Sequence, residues 1–291
     1  MENKPLRIVT FNFLPVAFQL VHRWIEAHNH KLVLAVTTPG PKLRPTPSYT
    51  GVVTSAPRDV DVLVTTRLRK VATPLIRELE PDLIMCLSFP YRITPEICAI
   101  PRYGAINLHP APLPAYRGPN VMRPFYDGWH EYGATVHWIA PDYDTGNILS
   151  RKAAPMPEVI TSDAVFPTWG AMMSEALAEG AERALAGDPG TPQDDSQATY
   201  AAPFSREERW VDWDEDQLVI LRKVTALNMM NPANAKTMID YEPYVLHDIE
   251  LMESVHDSSV AIGTCIEQGE DFAIMQVRDG LVRANVEPLS A

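Results

Sequence analysis

The sequence predicts an α/β fold: a predominantly parallel sheet with helices between its strands, then a small β-rich C-terminal domain. Three features predict it. Short apolar runs alternate with helix-spaced segments through the first half, the pattern of βαβ units. Of the 291 residues, 46% are hydrophobic, enough to bury two cores. After a turn-rich stretch, AGDPGTPQDDSQ, and one more helical segment, the pattern changes to short strand-like runs, with Asp279-Gly280 between the last two as a hairpin signal.

In chain order, LRIVTF (Leu6 to Phe11) reads as a buried strand. VAFQLVHRWIEAH has helical spacing, with Val16, Leu20, Val21 and Trp24 on one face. KLVLAVTT is a second strand. Pro39, Pro41, Pro45 and Pro47 then crowd the segment PGPKLRPTPSYTGV, where no regular structure is expected. VDVLVT is a third strand, TPLIRELEP a helix ended by Pro81, DLIMCLSF a fourth strand and GAINLH a fifth. A longer helix spans roughly Asp163 to Leu185. VDWDEDQLVILRKVTALN is helical, and HDIELMESV, SVAIGTCIEQ, FAIMQVR and LVRANVEPL are strands. The implied domains are residues 1–187, a linker at 188–205, and 206–291.

Composition narrows the function. The cysteines, Cys86, Cys98 and Cys265, form no CxxC pair, so they read as small buried hydrophobes and suggest neither a disulfide framework nor zinc. No GxGxxG follows the first strand and no GxxxxGK[ST] occurs, which weakens dinucleotide and nucleoside-triphosphate readings. The opening residues lack a signal peptide's apolar region, and no run approaches the roughly 20 apolar residues that span a bilayer. No membrane partner and a cytoplasmic location are therefore expected. From Phe204 onward 7 Lys+Arg face 17 Asp+Glu, a balance of −10 out of −12 for the whole chain. Such a domain repels phosphate and makes a poor nucleic-acid platform.

The chemistry concentrates in GAINLHPAPLPAYRGPN and GATVHWIAPDYDTGNIL. Asn107 and His109 are two apart at the end of a strand, so their side chains share a face at the carboxyl edge where open α/β sheets place ligands. Pro110, Pro112 and Pro114 stiffen the exit. An amide and an imidazole side by side suit carbonyl chemistry: one holds a developing oxyanion, the other moves a proton. Asp144, beside the turn-forming Gly146, would favour the cationic form of His109 and could take a proton.

Together these residues resemble the formyltransferase family that uses N10-formyltetrahydrofolate. The likeness rests on Asn107, His109, Pro110, Leu113, Pro114, Arg117 and Gly118, then Gly133, Thr135 and His137, then Asp144, Thr145 and Gly146. FPYRIT (Phe89 to Thr94) is similar to the segment bordering the family's pterin pocket. ATYAAPFS and the following VDWDEDQ are similar to the junction and start of the C-terminal domain in the methionyl-tRNA subfamily. The resemblance implies a Rossmann-like catalytic domain and a C-terminal β-barrel-like (OB-like) domain. The donor co-substrate would be N10-formyltetrahydrofolate. Asn107, His109 and Asp144 would be catalytic, and Leu87, Tyr91, Arg92, Ile93, Ala140, Pro141, Asp142 and Tyr143 would line the folate pocket, many through backbone groups. Departures are Ala111 and Pro112 after His-Pro, and the opening FNFLPVAF in place of a Gly-Thr-Pro-Glu-type turn. KLRPTP (Lys42 to Pro47) echoes a tRNA-contacting loop in shorter form, whereas RGPN (Arg117 to Asn120) is closer to members acting on small amines.

In the mechanism so implied, the acceptor amine attacks the formyl carbon, Asn107 and protonated His109 hold the oxyanion, and Asp144 supports His109 and assists proton transfer. The acidic C-terminal domain favours a small-molecule or carrier-bound amine as acceptor over tRNA. Methionyl-tRNA formylation, hydrolysis of the donor, and a catalytically retired folate-binding scaffold are the alternatives. His137 reads as a structural histidine within a strand, and His22, His28 and His30 as solvated. Trp210 and Trp213 read as filling a domain junction. The run Asp212, Asp214, Glu215, Asp216 reads as an acidic helix start, with no metal site expected.

Overall fold

Strand β1 (Arg7–Asn12) is buried from Ile8 to Asn12, as expected of a strand covered on both faces. It feeds α1 (Pro15–Ala27), whose proline sits in the first turn, where a missing N–H costs nothing, and which buries Phe18, Leu20, Val21, Trp24 and Ile25. There follow β2 (Lys31–Thr37), α2 (Ser48–Ser55), β3 (Val62–Val64), α3 (Thr73–Leu79), β4 (Leu83–Leu87), α4 (Pro95–Cys98), β5 (Ala105–His109) and α5 (Arg123–Asp127). Then come β6 (Glu131–Trp138), β7 (Ile148–Pro155), α6 (Ser162–Leu185), α7 (Gln217–Asn228), β8 (Lys236–Ile239), β9 (Glu242–Met252), β10 (Cys265–Gln268), β11 (Phe272–Gln276) and β12 (Leu281–Pro288). The structure, a computed structural model, describes residues 4–40, 48–253 and 259–289. The loop KLRPTP therefore lies outside the described residues.

The chain divides into two compact units. The first comprises Met1–Gly118, Gly133–Ala153 and Gly170–Tyr200. Its sheet has the order β3-β2-β1-β4-β5-β6-β7. β1 pairs in parallel with both β2 and β4, and β4 with β5, while β6 runs antiparallel to β5. Strand order reverses on either side of β1, the doubly wound arrangement that opens a crevice at the carboxyl ends. Two cores cover the two faces. Leu83, Met85 and Leu87 of β4 join Ile106 and Leu108 in one, and Ile84 and Cys86 join Ala105 in the other. This period-two alternation places Asn107, the register partner of Cys86, on the second face.

Three local expectations are corrected. Ser48–Ser55, expected to be irregular, is helical, and no proline interrupts it. β7 is an additional strand: its exposed alternate residues leave it without an apolar run. Residues 191–200, expected to be linker, belong to the first unit, where the chain at Thr191 exchanges two backbone bonds with Ile148, each of 2.8 Å.

The second unit comprises Pro119–Tyr132, Ala154–Trp169 and Ala201–Ala291. Its antiparallel sheet has the order β10-β11-β12-β9-β8, with a bulge between Asn285 and Val286 that curls it. α7 buries Ile220, Leu221, Val224 and Leu227 with Trp213, Leu246, Met275 and Val282 in one core. In the final hairpin the Val277 N–H donates to the Gly280 carbonyl over 2.9 Å. The turn residues are thus Arg278 and Asp279, one position earlier than the Asp-Gly signal suggested. Trp213 lies in this core with Nε1 donating to the Met238 carbonyl, and Trp210 lies against Lys236 at the surface.

Four cations of this unit face carboxylates. Arg123 pairs with Asp127 and Glu208, Lys223 with Glu215, Arg278 with Asp214, and Arg283 with Glu250. The acidic run before α7 is held by Lys223 and Arg278. Among the described residues, no helix is long and apolar enough to cross a membrane.

Candidate active site

Asn107 and His109 stand at the carboxyl end of β5, on one face as strand geometry requires. The exit loop is tied down at once. Thr135 Oγ1 donates to the Ala111 carbonyl over 2.8 Å and accepts from the Leu113 N–H over 3.1 Å. Thr135 is also the register partner of His109. The loop then turns through Tyr116, at φ 59°, and its carbonyl accepts from His109 Nε2 over 2.9 Å. That carbonyl sets the tautomer, because only a protonated Nε2 can donate to it.

Asp144 reaches the same place from the turn between β6 and β7. Its φ of 56° is left-handed, a conformation uncommon outside glycine. Two residues on, Gly146 passes so close to β6 that an added Cβ would lie 1.7 Å from the Trp138 carbonyl oxygen. The glycine therefore serves a close approach to protein backbone, not to a ligand. Gly133 has a similar reason: its Cβ would meet the Lys152 carbonyl at 2.1 Å.

The three residues converge. Asn107 Nδ2 donates to Asp144 Oδ1 over 3.3 Å, and Asp144 Oδ2 lies 3.6 Å from His109 Nδ1. The Gly118 N–H donates to Asp144 Oδ2 over 2.9 Å. A fourth residue joins them. His137 Nδ1 donates to the Trp138 carbonyl over 2.8 Å, which leaves Nε2, 3.1 Å from Asn107 Nδ2, to accept from that amide. His137 Nε2 also lies 3.5 Å from Asp144 Oδ1. His137 is thus part of the cluster. Its signals in the sequence are its place in the Gly133, Thr135, His137 match and its parity with Thr135; the pairing of Asn107 with His137 across β5 and β6 is a register fact.

Burial opposes ionisation of Asp144, but His109, His137 and the Gly118 amide outweigh it and hold the carboxyl well below the usual carboxylate range. For His109 the balance falls the other way. Burial pushes its pKa below 6.5, and the Asp144 carboxylate and Tyr116 carbonyl only partly offset this. The expected cationic His109 is therefore corrected: desolvation exceeds the attraction of one carboxylate, and the resting imidazole favours its neutral form. An NMR titration of the free protein should place His109 below 6.5, and Asp144→Asn should lower it further. A midpoint at or above 6.5 would show that the ion pair wins. Because folding depresses this pKa, the site's contribution to stability is complete above 6.5 and is lost as pH falls from there to the folded midpoint.

Asn107, His137 and Asp144 close one side of a cavity whose remaining wall is Cys86, Phe89, Tyr91, Arg92, Ile93, Ile139, Ala140, Asp142 and Tyr143. Of the residues expected there, Tyr91, Arg92, Ile93, Ala140, Asp142 and Tyr143 line it. Leu87 does not: alternation along β4 turns its side chain into the opposite core, while its carbonyl accepts from Asn12 Nδ2 over 3.0 Å. Pro141 is also outside the wall. Arg92 Nη2 pairs with Asp142 Oδ1 over 2.6 Å, and Arg92 Cζ lies 5.1 Å from the centre of the Tyr143 ring. Cys86, a buried hydrophobe as expected, also lines the cavity; burial pushes its thiol far up, so it is an apolar wall. Cys98 and Cys265 are half-buried, less enclosed than expected. His22 packs on Phe18, and His28 and His30 on Trp24, with His22 and His30 half-buried and only His28 exposed.

Two family models match. Residues 60–167 match the formyl transferase model and residues 203–286 the formyl transferase C-terminal domain. A methionyl-tRNA formyltransferase of Moorella thermoacetica is 30% identical over 217 residues, covering 73% of this chain and 68% of the relative.

The chain belongs to the formyltransferase family.

Solved structures agree on the fold. HypX from Aquifex aeolicus, in complex with tetrahydrofolic acid, matches with a TM-score of 0.69 at 20% identity. That match covers 97% of this chain and 44% of HypX, so the chain spans less than half of HypX. An N-formyltransferase from Helicobacter canadensis, in complex with folinic acid and dTDP-3-aminofucose, matches with a TM-score of 0.65 at 14% identity, covering 97% of this chain and 99% of the neighbour. Membership of this family makes the chain a group-transfer enzyme, and its two family matches fall on either side of the turn-rich segment near residue 190.

Proposed function

We propose that this enzyme transfers a formyl group from N10-formyltetrahydrofolate to the amine of a small-molecule or carrier-bound acceptor. The observation that carries the reading is the convergence of Asn107, His109 and Asp144, with Asn107 and Asp144 lining the cavity and His109 buried behind Asp144. A wall of Phe89, Tyr91, Ile93 and Ile139, with the polar edge of Arg92 and Asp142, suits a flat heterocycle with hydrogen-bonding edges. The donor, when bound, supplies an acyl carbon with an amine leaving group. Asn107 has two amide hydrogens, engaged with His137 and Asp144 at 3.1 and 3.3 Å. One of them turns to negative charge developing on the formyl oxygen. His109 acts from its neutral form: Nδ1 accepts the proton lost by the attacking amine, and the adjacent Asp144 carboxylate stabilises the imidazolium so formed. The same proton then serves the leaving nitrogen. In this reading the first unit, which carries Asn107, His109 and Asp144, is the catalytic one, and the second, which includes 206–291, the accessory one.

The balance of 7 Lys+Arg against 17 Asp+Glu from Phe204 onward supports an acceptor without a polyphosphate backbone. The methionyl-tRNA formyltransferase relative and the C-terminal domain match support the second reading, tRNA as acceptor. An acceptor screen decides between them. With N10-formyltetrahydrofolate present, amino sugars or amino acids should raise tetrahydrofolate release at least ~10-fold over the rate without acceptor, a barrier change of about 1.4 kcal/mol. Turnover with initiator methionyl-tRNA that falls steeply with salt would establish the second reading. Release that is indifferent to any amine would make the enzyme a hydrolase.

A further inference from the structure

The turn after β6 carries Asp144, the loop after β5 supplies the Tyr116 carbonyl to His109 and the Gly118 N–H to Asp144, and residues 191–200 run along both. The Arg117 N–H donates to the Thr199 carbonyl over 3.0 Å, and the Tyr116 N–H to Thr199 Oγ1 over 2.8 Å. Gln193 spans the two. Its Nε2 donates to the carbonyls of Asp144 and Gly146, both over 2.8 Å, and its Oε1 accepts from Arg117 Nε over 2.9 Å. Arg117 Nη2 also meets Asp195 Oδ1 at 2.8 Å. The Arg117 side chain is 13% exposed, so it is committed to this strap.

These bonds bear on the reacting groups from both sides. Asp144 keeps its left-handed backbone only if its surroundings hold it; Gln193 grips its carbonyl, and Gly118 its carboxylate. Gly118 and Tyr116, which accepts from His109, flank the Arg117 that Gln193 also grips.

We propose that Gln193 is a positioning residue that locks the Asp144 carboxylate against His109 by joining the turn that carries Asp144 to the loop that holds His109 through the Tyr116 carbonyl. It touches none of the reacting atoms. The proposal rests on the catalytic reading above, but it has readouts that need no substrate.

The full chain is tested with Gln193→Glu and Gln193→Ala. The glutamate keeps the size and the acceptor for Arg117 but replaces both donated bonds by a carboxylate facing two carbonyls. Displacement of the carboxylate by about 1 Å should lower kcat roughly 10–100-fold. KM for N10-formyltetrahydrofolate should stay within about twofold, since uniform binding is untouched. In the free protein, the charged and titratable neighbours of His109 are Asp144 and His137, with the Tyr116 carbonyl on Nε2. Retreat of Asp144 should therefore lower the His109 midpoint, and the Gly118 amide should exchange about tenfold faster, with circular dichroism checking that each variant is folded. If Gln193→Ala does not fold, Gln193→Glu carries the test. An unchanged His109 midpoint and Gly118 exchange rate in the folded variants overturns the proposal. Absence of turnover in the parent enzyme with every acceptor would defeat the catalytic reading instead, and the two free-protein measurements would still decide for or against Gln193.

Discussion

Asp144→Asn is expected to lower kcat by about 10³-fold, within the range for a residue that supports proton transfer. The amide keeps the shape and can still accept from the Gly118 N–H, so folding is expected to be retained. What is lost is charge: the imidazolium formed on His109, in a site where burial already disfavours it, would have no anion beside it. His109→Ala removes the proton acceptor and should cost a similar factor. Asn107→Ala removes an oxyanion donor, worth about 10²–10³ in kcat. These losses will not add, because the residues act as a unit; a double variant should be little worse than the weaker single one. Steady-state kcat and KM, with circular dichroism to check folding, provide the measurement. Near-normal rates in any two of the three would remove the catalytic assignment.

Gly146→Ala should have the largest effect on stability. Its Cβ would lie 1.7 Å from the Trp138 carbonyl oxygen, and that neighbour is backbone of a buried strand, not the tip of a mobile side chain. Relief requires the turn after β6 to move, which breaks the Gln193 bond to Gly146 and shifts Asp144. A cost of about 3 kcal/mol is expected, at the upper end for overpacking. Urea unfolding measures the first consequence, and turnover near the Asp144→Asn level the second. Gly170→Ala is the contrast. Nothing lies within 4 Å of its added Cβ and it sits inside α6, so the substitution should be neutral or stabilise by about 0.5–1 kcal/mol. Wild-type stability in Gly146→Ala would show that the turn adapts freely and would weaken the case for a rigid Asp144.

Much of the site is local in origin and therefore legible along the chain. Asn107 and His109 share a face because strands alternate, and their position at a carboxyl edge follows from parallel pairing. Gly133 and Gly146 announce close packing, although only the structure shows that both meet backbone carbonyls. What escaped the sequence depends on residues far apart. His137 enters through the β5–β6 register. Leu87 leaves the pocket because β4 pairs with β5 in a register that sets Cys86 beside Asn107. Gln193 lies in a stretch whose glycines, prolines and aspartates read as linker, and no periodicity marks a segment that earns its place through side-chain bonds.

By itself, the sequence determined which chemical groups are present, the order of strands and helices that brings them to one edge of a sheet, and the acidity of the C-terminal region. Tertiary structure decided their state. Whether His109 rests neutral or charged depends on how completely it is buried against how near Asp144 lies, and both are sums over neighbours from distant parts of the chain. The same holds for Asp144, whose charge is held by an amide from one loop and by histidines from two strands. Local patterns specify which face a side chain takes; desolvation and Coulomb terms depend on distances that exist only after folding.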